Sequence, residues 1–395
     1  MNSQQPGVSV AKDMLSVKNT TMASAVPLFI GYTEKQPVGA YAEINNFADY
    51  EAIFGKAEGG NATLYYTIKH FFDNDGQGGF IFSLGKGTEL DVNQPEDMIT
   101  DLKIPALRQM IHTEQSITLL SFPDIVRLPN LNIDSAISLW QQAWQQVLSL
   151  CQLRPGVFGI LDSPDDQQLA HRCLSDFSCD DKESGSAYWP SLVTPYMHGE
   201  AVVTVPASGA VIAAIQQADS TKGVWSAPAN ILLSQVTRTS QYHQNANGLF
   251  NPQGASFNLI RSFPGRGIRI WGCRTFTDDN HSSFRYVQVR RLISYCEAHL
   301  SSLGRMFVFE PNNEITWYKF KGLAHNWLLQ LWQQGGLNGA QEEEAFSVLL
   351  GLQETMTPED ILAGKMIMKV RLAVLAPAEF IELKIHFDMN ADGNT

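Results

Sequence analysis

Between Ile117 and Val193 the apolar residues change period repeatedly, and no other stretch limits the possible folds as tightly. Ile117 to Phe122 is an apolar run of strand length. Ile137, Trp140, Trp144, Val147, Leu148 and Cys151 then recur on one helical face, with Asp134 placed to cap it. Val157 to Leu161 reads as the next strand, Asp165 to Cys173 as a helix, and Ala187 to Val193 as another strand. Strand and helix alternating over such short connections predict parallel β-α-β packing and an α/β class with a mixed sheet flanked by helices. The chain before this stretch fits the same plan. Ala25 to Tyr32 reads as a buried strand, 44–55 and Thr63 to Phe72 as helices, and Phe80 to Leu84 as a strand after the turn DNDGQGG.

At 395 residues the chain is long enough for roughly two to three domains. It holds no run of about 18 apolar residues, so membrane insertion is not expected. Its N-terminus has neither a basic n-region nor an apolar h-region, which argues against Sec export. Five widely spaced cysteines without a C-x-x-C pair suit a reduced, cytoplasmic chain.

Charge is distributed unevenly. The formal net charge is -12, yet 261–309 carries eight arginines (Arg261, Arg266, Arg269, Arg274, Arg285, Arg290, Arg291, Arg305) against three acids, Asp278, Asp279 and Glu297. Such an island either faces a specific partner or is a solvated face paired with Glu310, Asp278 and Asp279. The acidic balance argues against nucleic acid as the main partner, and the island alone keeps that alternative open. Locally, Ile268 and Ile270 mark a strand. Val289, Leu292, Ile293, Cys296, Leu300 and Leu303 mark a helix ending at Gly304, and Met306 to Phe309 suggest a strand after it.

Signatures of chemistry are sparse. In GGFIFSLGKGT five residues separate Gly79 from Gly85, and Gly87 stands where a phosphate loop needs Ser or Thr. No G-x-S-x-G or H-E-x-x-H occurs. His171, Cys173, Cys179, Asp180 and Asp181 match no zinc spacing, and Asp388, Asn390, Asp392 and Gly393 form only the first half of a calcium loop. Asp124 and Asp162 follow strands, where open parallel sheets bind ligands, but the adjacent Pro123 and Pro164 favour turn roles. Trp271, Trp317, Trp327 and Trp332 read as core rather than as a stacking platform. The expectation is no catalytic residue, no cofactor and no metal.

The two ends are more informative. Val8 and Val10 alternate with polar residues near the start, and Met366 to Ala376 alternate near the end. Beyond Pro377, Ile381, Leu383, Ile385 and Phe387 share one face opposite Glu382, Lys384 and His386. A terminal strand with an apolar face beyond a proline is a donor for β-augmentation of a neighbouring subunit. If donor and acceptor surfaces differ, the contact propagates into a ring or helix.

Five blocks in fixed order, RGIRIWGCRTF, FRYVQVRRLI, FVFEPNNEITW, LLQLWQQGGLNG and PAEFIELKI, resemble the C-terminal half of contractile tail sheath proteins of phages, R-type bacteriocins and phage-derived injection systems. The small-residue helix 207–219, followed by Gly223, Val224, Trp225, Pro228, Ala229 and Asn230, is similar to the same family. The resemblance implies a structural subunit that stacks in rings around an inner tube and contracts to drive it through an envelope. It implies an N-terminal arm (1–24), an inserted outer α/β domain (25–198), a core domain (199–376) and a C-terminal arm (377–395). The arms, about Pro6 to Val17 and Glu379 to Phe387, would carry inter-subunit strands, and Arg285, Arg290 and Arg291 would face the tube. Implied partners are further copies or paralogous subunits, the tube protein, and baseplate and terminal cap proteins. Assembly in the bacterial cytoplasm and release in a tail or tail-like particle would follow. The alternatives are an α/β enzyme near Asp124 or Asp162, or a nucleic-acid-binding scaffold using the 261–305 arginines.

Overall fold

The computed structural model describes residues 24–57, 62–87, 94–128, 133–242, 246, 248–251 and 253–377. Its frame is an eight-stranded sheet made of β1 (Pro27–Thr33), β2 (Tyr41–Ile44), β3 (Gly79–Lys86), β4 (Leu119–Ser121), β5 (Phe158–Asp162), β6 (Gly185–Trp189), β10 (Asn258–Phe263) and β11 (Gly267–Trp271). The spatial order is β11-β10-β6-β5-β4-β1-β3-β2. Interior pairs are parallel, and the edge strands β2 and β11 run antiparallel to their neighbours. Parallel interior strands need cover on both faces. All seven residues of β1 are buried accordingly.

One face, through Leu28, Ile30, Phe82, Leu120 and Leu161, packs on helices α3 (Glu96–Asp101), α4 (Pro105–Thr113), α5 (Ile133–Cys151) and α6 (Gln167–Ser175). At its centre the Trp144 ring meets Phe276 edge-on at 5.2 Å, and its indole N–H donates to Asp162 O at 2.9 Å. The opposite face, through Phe29, Ile81, Leu119, Ile160 and Ile260, packs on α1 (Phe47–Phe54), α2 (Thr63–Asp73) and α7 (Ser208–Lys222). A small sheet of β7 (Leu192–His198), β8 (Ala201–Val205) and β9 (Arg238–Thr239) adjoins this face.

Helix α7 explains its small residues. Ten of its residues, from Ser208 to Ala218, are buried, so the helix is covered nearly all round. At Gly209 a Cβ would come within 2.7 Å of the Thr67 carbonyl oxygen on α2. The close approach that a glycine permits is thus made at Gly209.

A third layer follows. Helices α8 (Val287–Arg305) and α9 (Glu314–Gln333) pack with a two-stranded sheet of β12 (Phe346–Leu349) and β13 (Lys369–Leu372) around Leu292, Cys296, Ala324, Leu328, Phe346 and Val348. A one-turn helix, α10 (Glu342–Ala345), leads into β12, and α11 (Pro358–Leu362) lies between the two strands in sequence.

Several expectations need correction. Met306 to Phe309 is a chain of tight turns, with Met306 N bonding Leu303 O and Phe307 N bonding Gly304 O, not a strand. Gly304 lies inside α8, where its missing Cβ admits the Phe320 ring, so no strand-helix-strand unit forms there. The run Gln341 to Val348, whose acidic start reads in sequence as a helix, makes only one helical turn because Phe346 and Val348 alternate as strand. The run Ala187–Val193 is split at Pro190 between β6 and β7, and the strand expected over Met366–Ala376 shrinks to β13. Trp271 is 41% exposed because it points outward from an edge strand. The eight-stranded sheet also draws strands from both sides of residue 198.

A Gly209→Val substitution should force α7 off α2 and lower unfolding stability by about 2 kcal/mol, as overpacking of a tight core contact does. Chemical denaturation followed by circular dichroism would measure it, and an unchanged midpoint would contradict this packing account.

Candidate assembly interface

The described chain begins at Ser24, immediately before β1, and this entry point is clamped from several sides. Ser24 Oγ donates to Asp219 Oδ2 at 2.5 Å, and Ser24 O accepts from Thr118 Oγ1 at 3.0 Å and from Arg291 Nη2 at 2.8 Å. Arg291 meets Asp219 with both terminal nitrogens, at 2.6 Å and 3.0 Å. The two side chains are 3% and 6% exposed. Gln216 of α7 adds a bond to Ala25 O at 2.9 Å. Sequence reading missed Asp219 as the partner of Arg291. A single acid in a helix of small apolar residues was the available signal.

The exit is built differently. In β12 and β13, Phe346 pairs with Leu372 and Val348 with Val370 in antiparallel register. Phe346 and Val348 face the core with the partly buried Val370 and Leu372, while Lys369 and Arg371 face outward. Beyond β13, Ala373 bonds Ala345 O and accepts from Asn338 N, each at 2.8 Å, before the chain reaches Pro377. Among the described residues this sheet has two strands, so each has an unpaired outer edge. Helix α8 serves both places: Arg291 holds the entry, while Leu292 and Cys296 pack beneath β12 and β13. Trp225 pins the same layer, because a Cβ on Gly336 would fall 2.9 Å from its ring.

The arginine island separates into distinct environments. Arg274 is buried, donates Nη1 to Asn251 O at 2.9 Å and lies 4.5 Å over the Phe250 ring. Of the three expected tube-facing residues, Arg291 is buried in its ion pair and does not reach solvent. Arg285 is half-buried and donates to Asn280 O at 3.3 Å, and Arg290, also half-buried, stacks 4.8 Å over Phe284. Asp278, expected as an arginine partner, binds Lys182 at 2.7 Å. Arg261, Arg266 and Arg269 lie on the β10–β11 hairpin. The α8–α9 corner exposes Val308 (58%), Phe309 (102%), Ile315 (66%) and Tyr318 (71%), with Phe309 held at φ 74. An exposed apolar group beside a bulky residue in the left-handed region points to a protein contact. Val8, Val10, Ile381, Leu383, Ile385 and Phe387 lie outside the described residues.

Asp124 and Asp162 do not open onto solvent. Asp124 is 0% exposed and accepts from Tyr32 N at 2.7 Å, and Asp162 is 3% exposed and accepts from Ser208 N at 2.9 Å. Burial pushes their carboxyls up to about 6 and about 7. No cluster of potential metal ligands occurs among the described residues.

Two measurements follow. The folded chain keeps the Asp162 proton up to about pH 7, whereas the unfolded chain releases it near the ordinary value of about 4. This group's contribution therefore lowers stability as pH rises through that window, and Asp162→Asn should flatten the fall in melting temperature between pH 5 and pH 8 by a few degrees. Arg291→Ala should cost about 3–5 kcal/mol by stranding Asp219, while Arg291→Met combined with Asp219→Leu should recover most of that loss. Equal losses in the single and double variants would refute the buried pair as the cause.

The profile of the phage tail sheath C-terminal domain matches residues 279–388. No curated protein sequence matches. Among solved structures, a chain of the anti-feeding prophage baseplate in the contracted state is 38% identical, with a TM-score of 0.86, covering 98% of this chain and 100% of its own. The sheath complex of the PVC extracellular contractile injection system, contracted, is 28% identical with a TM-score of 0.73, covering 98% and 99%. A sheath tail protein from Listeria innocua shares the fold alone, at 8% identity and a TM-score of 0.53 over 89% of this chain and 95% of its own. With near-complete coverage at this identity, the chain belongs to the contractile tail sheath family.

Proposed function

We propose that this protein is the repeating subunit of a contractile sheath in a phage tail-like particle resembling the anti-feeding prophage and PVC systems. Its partners are further copies or paralogues of itself, an inner tube, and baseplate and cap proteins. The observation that supports the reading in detail is the two-stranded β12–β13 sheet, whose outer edges are unpaired among the described residues at the point where the chain leads toward its C-terminal segment. Open edges over an apolar face are costly in solution and are relieved when a neighbour adds strands. The donors are the segments carrying Val8 and Val10 and those carrying Ile381, Leu383, Ile385 and Phe387, and the residues at 376–378 act as the hinge of the second.

Arg285 and Arg290 are the tube-facing candidates that remain on α8 and its approach. Arg291 is removed from that role by its ion pair. The protein works without catalysis, using packing energy released when subunits reorient. Assembly takes place in the bacterial cytoplasm, before release of the particle.

Removal of residues 378–395 should leave a folded chain with unchanged circular dichroism that no longer forms striated tubes or rings by negative-stain microscopy. Tubes of normal length from the truncated chain would refute the arm-exchange account. Arg290→Glu should spare self-assembly and weaken capture of the tube protein, read by co-purification.

A further inference from the structure

We infer that the β10–β11 hairpin is a second contact between copies of this chain, its arginines receiving the acidic turn Glu342–Glu344 of a neighbouring subunit. This rests on the sheath reading above. Cross-strand register sets Leu259 opposite Trp271, Arg261 opposite Arg269 and Phe263 opposite Gly267, all on one face. Two like charges directly opposite destabilise a hairpin unless an anion compensates them. Among the described residues, Arg261, Arg266 and Arg269 form no ion pair. Arg269 donates only to neutral carbonyls, Arg266 O at 3.0 Å and Asn230 O at 2.7 Å, and Arg261 Nε has no partner.

Apolar surface accompanies this charge. The Phe263 and Trp271 rings meet at 4.6 Å, Trp271 is 41% exposed, and Leu232, 51% exposed, lies against Gly267. Arginine beside exposed aromatic rings is the composition of an interface centre.

The occupant follows from charge. With a net charge of -12, the chain presents anionic surface on its own copies, which crowd together in any polymer. Glu342 to Glu344 is the longest run of consecutive acids in the sequence, and Glu343 and Glu344 are exposed. Glu342 is held by His325 at 2.6 Å, and Glu344 accepts from Ala340 N at 2.9 Å, so the turn is rigidly presented. The turn belongs to the third layer, beside β12, and the hairpin forms an edge of the large sheet. Two different surfaces make a heterologous contact, which propagates along a lattice.

The test uses the full chain, scored by pelleting and negative stain across a sodium chloride series. Arg261→Glu with Arg269→Glu, and separately Glu343→Lys with Glu344→Lys, should each reduce assembly by about tenfold, as charge reversal at a complementary contact does. All four changes in one chain should restore assembly. Arg266→Glu, on the exposed turn, should weaken assembly without touching the fold and so separates contact loss from misfolding. Folded reversal variants that assemble with wild-type salt tolerance would overturn the inference, as would a four-fold variant that stays dispersed. Reversal variants that assemble normally but lose binding of a single-stranded oligonucleotide would assign the hairpin to nucleic acid instead. A wild-type chain that never assembles would count against the sheath reading itself, a separate result.

Discussion

The contact among Arg291, Asp219 and Ser24 is the constraint on which the rest of the arrangement depends. A bidentate ion pair with both partners nearly excluded from water is held only when geometry is good and the remaining donors are satisfied. Here the remaining donor capacity goes to the Ser24 carbonyl, so the pair fixes the start of β1 as well as two helices. Helix α7 belongs to the large sheet and α8 to the third layer, and the pair is their polar rivet. Removing one charge would leave the other buried without compensation, which makes the joint intolerant of single changes and gives it one geometry.

The arginine island shows why residue counts mislead about surfaces. Arg274, Arg290 and Arg291 spend their guanidinium groups on a carbonyl, aromatic rings and a carboxylate within the fold. What separates them from Arg261, Arg266 and Arg269 is position. The hairpin at the end of the sheet leaves Arg261 and Arg269 half-buried and Arg266 exposed on its turn, whereas Arg290 and Arg291 lie on a helix packed between layers. Local sequence spacing is silent on which neighbour supplies the counter-charge.

Much of the fold was legible in the sequence for the reason that period reports environment. The face carried by Ile137, Trp140, Trp144 and Leu148 is the face α5 buries, and β1, β3, β4 and β5 coincide with the expected apolar runs to within about two residues at each end. Errors fell where local pattern and packing compete. Met306 to Phe309 has strand-type side chains, yet Gly304 lets Phe320 close in and the chain turns at once into α9. Phe346 and Val348 looked helical after three glutamates, but pairing with Val370 and Leu372 decided otherwise. The open edges of β12 and β13 emerged only from the pairing, which among the described residues joins two strands.

Both ends of the described chain are tied to one helix. Successive residues of α8, Arg291 and Leu292, serve the incoming and outgoing ends of the chain. The buried Arg291–Asp219 pair that secures the start of β1 therefore lies one residue along a stiff rod from the position supporting β12 and β13, so a displacement of either end of the described chain is felt within one helical turn of the other.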